Sequence, residues 1–178
     1  LTYFTPKNLE TVLQRLTRGE FSAEEWIRLQ ATLDGEPVEP ATSEYFLGKT
    51  DRLYMSRHIL QLGGKTEEQP SSGLLVVTGA GSTGWYDSAC KYIYPNGNKV
   101  PKNEKFARFL VTEPYRGNLN TYSMLEGAIE PGQELIVNSL NDADGLFSSD
   151  SIERHPFKRG STAVIRISDT PLKVVKAG

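Results

Sequence analysis

The residues best suited to chemistry in this chain stand together at 78–88, reading Thr78-Gly79-Ala80-Gly81-Ser82-Thr83-Gly84-Trp85-Tyr86-Asp87-Ser88. They follow directly on Leu74-Leu75-Val76-Val77, the most apolar strand-like run in the sequence. Three glycines allow a backbone to approach a ligand closely or to take positive φ. Hydroxyls and free amides supply hydrogen-bond donors, and a helix beginning near Trp85 would aim its N-terminal amides at an anion. The chemistry on offer is ligand binding. The plainer alternative is a tight turn whose small residues only cap that helix.

By spacing, Gly79, Gly81 and Gly84 match the GxGxxG dinucleotide fingerprint. That fingerprint also needs a βαβ unit and an acidic residue about 20 positions on, ending the second strand. Here the helix is expected to stop by Pro95 and the next strand to end at Glu113, too late for that role. A Rossmann-type oxidoreductase is therefore the lesser reading. Gly48-Lys49-Thr50 and Gly64-Lys65-Thr66 are not Walker A loops, because Ser43 and Ile59 stand where the upstream glycine is required. Asn141, Asp142 and Asp144 could hold a cation through oxygen ligands, but turn chemistry explains them more cheaply. Arg52, Arg57 and His58 could reach ligand phosphates, with a solvated edge as the simpler expectation. Glu153, Arg154 and His155 make no triad with a nucleophile.

The elements that position this loop are mostly short. Thr5 and Pro6 suit a helix start and Gly19 a helix end, with Leu9, Val12, Leu13 and Leu16 on one apolar face. The period then changes to two at Ile27, Leu29, Ala31 and Leu33, a half-buried strand ending in the Asp34-Gly35 turn. Further strands are expected at 45–47, 53–62, 74–78, 106–112, 119–125, 134–139, 163–168 and 172–175. Turn signals separate them at Gly63-Gly64, at Pro95-Asn96-Gly97-Asn98, at Pro131-Gly132 and at Asp144-Gly145. The polar stretch 65–72 reads as a loop. Many short strands and few helices predict a mainly β, sandwich-like domain.

A chain of 178 residues suits one well-cored domain. With 20 basic and 22 acidic residues the net charge is −2, which leaves no electrostatic footprint for nucleic acid or an anionic membrane. No apolar run approaches the ~20 residues that span a bilayer, and no segment resembles a signal peptide. The single cysteine, Cys90, excludes an internal disulfide and fits a reducing cytosol. Two histidines and one cysteine, far apart, argue against structural zinc, and no metal ligand set is expected.

Segment 71–88, SSGLLVVTGAGSTGWYDS, resembles the NAD-kinase family segment that runs DG-L-apolar-apolar-S-T-P-T-G-S-T-A-Y-x-x-S. Its SSGL start and TG-x-GS turn are most like the mitochondrial-type branch. Upstream, RGEFSAEEWIRLQATLDGE is similar to the family's entry segment, and ATSEYFLG stands where the family has its asparagine-acidic pair. Downstream, Phe109-Leu110-Val111-Thr112-Glu113-Pro114 looks like its L-x-x-x-P strand, and NSLNDADGLFSSDSIERHPFKRGSTAVIRISDTPLKVV resembles its closing segment. The pieces occur in the family's order and spacing along nearly the whole chain.

The resemblance implies a β-sandwich-like C-terminal, dinucleotide-binding domain over 1–178, with an N-terminal helix and a short helix after the GSTGW loop. Thr83, Gly84, Trp85 and Ser88 match loop positions that touch NAD, with Trp85 in place of the usual tyrosine; an indole there can still stack on a base. Ala80 and Ser82 belong to the same contact stretch, Ala80 lacking a hydroxyl often found there. Glu44 matches the acidic member of the pair, while Ser43 replaces its asparagine and loses an amide that both donates and accepts. Ser72 replaces an aspartate that, in the family's oligomers, contacts ligand bound mainly by another subunit.

The family's catalytic aspartate lies in a GGDG motif on an N-terminal α/β domain, and no GGDG occurs here. No catalytic residue is therefore assigned to this chain. NAD is the implied substrate, with ATP and Mg2+ serving the full-length parent, which also implies an N-terminal kinase domain, a homo-oligomer and a cytoplasmic location. Beginning at Leu1, near where the family's two domains join, the chain is expected to be a C-terminal piece that binds the acceptor without phosphorylating it. A non-catalytic sensing or assembly module remains an alternative. So does a kinase of another acceptor, such as a diacylglycerol-type kinase, against which the GSTGW loop argues.

Overall fold

The computed structural model describes residues 5–93, 100–115, 117 and 122–176. Helix α1 (Leu9–Thr17) leads into β1 (Ser22–Trp26), β2 (Leu29–Leu33) and the two-residue β3 (Glu36–Pro37). Next come β4 (Glu44–Lys49), β5 (Ser56–Leu62), β6 (Lys65–Ser71) and β7 (Gly73–Val77). A 3-10 turn at Gly81–Thr83 opens onto helix α2 (Trp85–Ile93), followed by β8 (Ala107–Thr112), β9 (Glu126–Ile129) and β10 (Leu135–Ser139). The last strands are β11 (Gly145–Ser149), β12 (Glu153–Pro156), β13 (Thr162–Ile167) and β14 (Leu172–Lys176).

These strands form two six-stranded sheets, in the orders β3-β2-β13-β10-β5-β6 and β12-β11-β4-β7-β8-β9, beside a β1-β14 pair. Their ladders are antiparallel. Alternation explains the core: in β10 Leu135, Val137 and Ser139 are buried while Ile136 and Asn138 are half-exposed. Leu29, Leu60, Leu135 and Ile165 of the first sheet meet Tyr45, Leu74, Phe109 and Phe147 of the second in one cluster. The mainly β, sandwich-like expectation holds.

Strand β7 explains its own unbroken apolar run. Leu74 and Val76 belong to the inter-sheet core, whereas Leu75 and Val77 pack in a second cluster with Phe46, Leu110 and the α2 residues Tyr86 and Cys90. Covered on both faces, all five β7 residues are buried. Each such large apolar side chain contributes about 2 kcal/mol on removal from water.

Several local expectations differ from the structure. The stretch 65–71 is strand, not loop: Gly63 and Gly64 have φ of +57° and +79°, a turn whose twist suits a two-residue hairpin. The hairpin pairs Leu62 with Lys65 through to Ser56 with Ser71. Lying at the sheet edge, β6 tolerates polar side chains and Pro70. Strand β5 begins at Ser56, leaving Leu53, Tyr54 and Met55 exposed. Helix α1 starts at Leu9 after a turn in which Asn8 Oδ1 accepts from the Thr5 amide at 2.7 Å, and of its apolar face only Val12 is buried. Of the strand expected at 119–125, residues 119–121 lie outside the described residues, and the next strand starts at Glu126. The turn expected at Pro95-Asn96-Gly97-Asn98 also lies outside them. The short β1, β3, β9, β11 and β12 carry too few apolar residues to be read from pattern alone.

Candidate functional site

Thr78 is the hinge between β7 and the glycine-rich loop. Its hydroxyl donates to the Thr42 carbonyl at 2.6 Å and accepts from the Gly81 amide at 3.3 Å, while its amide donates to Ser43 O at 3.0 Å. The loop is thereby pressed against the turn that enters β4. A Cβ on Gly81 would lie 2.2 Å from Ser43 O, and one on Gly79 2.1 Å from Pro101 O. These two glycines are needed for close approach of protein backbone, not of ligand. Gly84 differs: it is exposed, and the nearest atom to an added Cβ is 3.9 Å away.

The β4 entry turn is clamped from its other side by a residue without a local sequence signal. The Asp150 carboxylate accepts the backbone amides of Thr42, Ser43 and Glu44 at 2.9, 2.8 and 3.0 Å. The Asp150 amide donates to Glu44 O at 2.9 Å, and the Ser151 hydroxyl donates to Glu44 Oε1 at 3.2 Å. Asp150 and Ser151 both hold left-handed backbone, φ +49° and +60°, a conformation non-glycine residues keep only where surroundings enforce it. Burial is the main cause of a raised pKa at Glu44, with the nearby Asp150 charge adding to it and the Ser151 hydrogen bond opposing it. A half-buried carboxylate of this kind is an acceptor for hydroxyl or amide donors.

The expected contact residues differ in where the structure puts them. Ser43, Glu44 and the 80–84 loop are brought together as above. Ser82 is fully buried, its hydroxyl 2.9 Å from the carbonyls of Gly79 and Val100, so it pins the loop from inside. Thr83 and Ser88 are exposed, with the Ser88 hydroxyl 3.3 Å from Gly84 O. Trp85 is half-buried, its ring centroid 4.9 Å from that of Phe46 and 5.1 Å from the guanidinium carbon of Arg52. Ser72 stands at the opposite end of β7, in the wall of a separate cavity of about 370 Å³ shared with Arg52, Tyr54, Met55, Glu113 and Tyr115. Arg52 touches both the Trp85 ring and that cavity.

Other polar candidates are used structurally. Asn141 Oδ1 accepts from Ser56 Oγ and from the Arg57 amide, and His155 Nε2 lies 2.8 Å from Glu39. Among the described residues no group of three His, Cys, Asp or Glu side chains is placed to hold a metal. No helix there is long and apolar enough to cross a membrane.

The architecture is that of a β-sandwich domain found in kinases of nicotinamide dinucleotides. It is similar to the crystal structure of yeast NADH kinase complexed with NADH, with a TM-score of 0.81 at 15% identity. That match covers 98% of this chain and 50% of the yeast chain. It is also similar to an NAD kinase from Archaeoglobus fulgidus in complex with ATP, with a TM-score of 0.76 at 20% identity over 99% of this chain and 64% of that one. The chain thus spans about half to two thirds of the length of these structures. No family model and no curated relative matches the sequence.

Proposed function

We propose that this chain is the dinucleotide-holding domain of an NAD kinase-like phosphotransferase, resembling the mitochondrial-type branch. The observation that carries the reading is the clamp that joins three distant segments. Thr78 and Gly81 on one side, and Asp150 and Ser151 on the other, hold the turn carrying Ser43 and Glu44 against the loop that leads on to the exposed Thr83, Gly84 and Ser88. In this reading Glu44 accepts hydrogen bonds from the ligand, the outer loop residues Thr83, Gly84 and Ser88 contact it, and Trp85 offers a face for its base.

Phosphoryl transfer needs a positioned donor and charge neutralisation by metal and cations. The GGDG motif is absent from the 178 residues, so the donor nucleotide and Mg2+ are assigned to an N-terminal α/β domain of the parent. The parent is proposed to be cytoplasmic and homo-oligomeric, with Ser72 facing ligand held by a neighbouring subunit. Calorimetry of this chain against NAD, NADH, NADP and ATP tests the reading. Binding of a nicotinamide dinucleotide without ATP-dependent NADP formation is expected. No dinucleotide binding by either this chain or its full-length parent would overturn the reading.

A further inference from the structure

The contact set that the family resemblance implies lacks a cation: Ser43, Glu44, Ser72, Ala80, Ser82, Thr83, Gly84, Trp85 and Ser88 include one carboxylate and no basic residue. A dinucleotide carries two phosphate charges, and a chain of net charge −2 offers no general positive field to hold them. Arg52 is placed to meet that need. Its guanidinium carbon lies 5.1 Å from the Trp85 ring centroid and 5.7 Å from that of Phe46, and the residue lines the cavity beside Ser72.

Stacking on aromatic rings leaves a guanidinium's in-plane N–H fork free to engage an anion. Among the described residues the one bond of Arg52 to a carboxylate is from Nη2, which donates to Glu113 Oε2 at 3.1 Å. Glu113 is 70% exposed and sits at φ +45°, a left-handed conformation, immediately beyond β8. An exposed single-contact ion pair is weak, whereas a forked arginine–phosphate contact is strong and directional. Lys49, whose Nζ lies 5.7 Å from the ring of the cavity residue Tyr54, adds a second positive charge nearby. A volume of about 370 Å³ is within the usual range for small-molecule sites, and Tyr54, Met55 and Tyr115 supply its apolar walls.

We propose that the cavity between Arg52 and Ser72 is an anion site for the phosphorylated portion of a ligand, in which phosphate displaces Glu113 from Arg52. Arg52 is then the cation of the binding surface, and its stacking ties the phosphate position to the Trp85 face. The identity of the anion as part of a dinucleotide rests on the function proposed above; the anion site itself does not.

The test is calorimetry of the 178-residue chain and of its Arg52→Gln, Arg52→Lys and Glu113→Gln variants, with ADP-ribose, inorganic pyrophosphate and adenosine as probes. Thermal midpoints confirm that each variant is folded. Arg52→Gln is expected to weaken ADP-ribose and pyrophosphate about tenfold or more while adenosine changes less than about twofold. Arg52→Lys, which keeps the charge and loses the fork, falls between, and Glu113→Gln tightens pyrophosphate. Unchanged pyrophosphate and ADP-ribose affinity in Arg52→Gln overturns the proposal, as does an equal loss for adenosine, which marks collapse of the Trp85–Phe46 stack. Dinucleotides that bind the parent chain and Arg52→Gln equally leave the proposed function standing and remove the anion site. Arg52-dependent pyrophosphate binding without dinucleotide binding does the reverse. Absence of binding by all three probes removes the anion site and leaves the proposed function to the dinucleotide titrations of this chain and its full-length parent.

Discussion

Two polar clusters in this protein use similar side chains to opposite ends. One joins Ser56 and His58 of β5 to Asn141: His58 Nε2 lies 3.1 Å from Ser56 Oγ and 3.4 Å from Asn141 Nδ2, with Phe157 stacked 5.9 Å from the imidazole. All three are sealed, Ser56, His58 and Asn141 being 0, 1 and 2% exposed. The other joins Glu44 to Asp150 and Ser151, equally well bonded but half open to solvent. A serine, a histidine and an amide within bonding distance resemble catalytic machinery only until access is considered. With no route for a substrate, the first cluster is a tether between β5 and the chain after β10. The second also tethers, yet leaves a carboxylate at the surface. Similar hydrogen-bond chemistry is divided between stability and binding by solvent access.

Substitutions can break that contrast. Asn141→Ala leaves the Arg57 amide without this acceptor and Ser56 Oγ with His58 alone, opens a space in a sealed cluster, and is expected to cost about 3 kcal/mol of stability. Ligand affinity of the folded fraction stays unchanged, as denaturant titration followed by calorimetry would reveal. A loss of affinity without a loss of stability would contradict the division.

His58 provides a matching pH effect. Burial pushes its pKa from 6.5 down to about 4. The unfolded chain therefore takes up the proton near pH 6.5 and the folded one only near pH 4, so stability falls as pH drops through that window. The loss is up to about 3 kcal/mol and is complete below pH 4. His58→Gln should flatten this part of the stability profile in urea titrations at pH 7, 5.5 and 4.

Smaller and different effects are expected at the open cluster. Asp150→Ala leaves three amides without their acceptor, with a cost of about 2 kcal/mol in stability. Dinucleotide affinity also falls at least about tenfold, because Glu44 loses its fixed position. A variant that unfolds partially yet binds normally when folded would show that the clamp matters only for the fold. Trp85→Ala should weaken dinucleotide binding by about 1.5 kcal/mol through lost stacking, read by competition with adenosine. Glu44→Gln sharpens the comparison most finely. The raised pKa means that the fold disfavours the ionised carboxylate, so the neutral amide should not destabilise the protein. Binding nonetheless weakens by about 1 kcal/mol. In the unsubstituted chain, binding that needs the carboxylate should decline as pH falls through the raised Glu44 pKa, above its usual 4.5.

Much of this molecule is readable along the chain wherever the cause is local. The Asp34-Gly35 turn has φ of +53° and +89°, and the β7 run is a strand covered on both faces. The glycine-rich turn and the helix at Trp85 follow in order. Strand β6 was hidden because its polarity spoke for a loop, although Gly63-Gly64 already encoded the hairpin. Asp150 was not legible as a site residue, and Arg52 was legible only as a possible phosphate contact for which a solvated edge was the simpler expectation. Asp150 meets Glu44 across 106 positions, and Arg52 meets Glu113 across 61, separations at which spacing carries no signal.

The sequence by itself determined a mainly β domain and the place and composition of the loop at 78–88. These are set by side-chain period, turn residues and the positive φ that glycine permits, all of which act over a few neighbouring residues. Only the tertiary structure decided why the loop needs its glycines and what stands around it. Gly79 and Gly81 admit passing backbone from Pro101 and Ser43, Ser82 turns inward, and Asp150 orders the turn that carries Glu44. The physical reason is that close approach and burial are properties of segments that meet only when the two sheets close over their core.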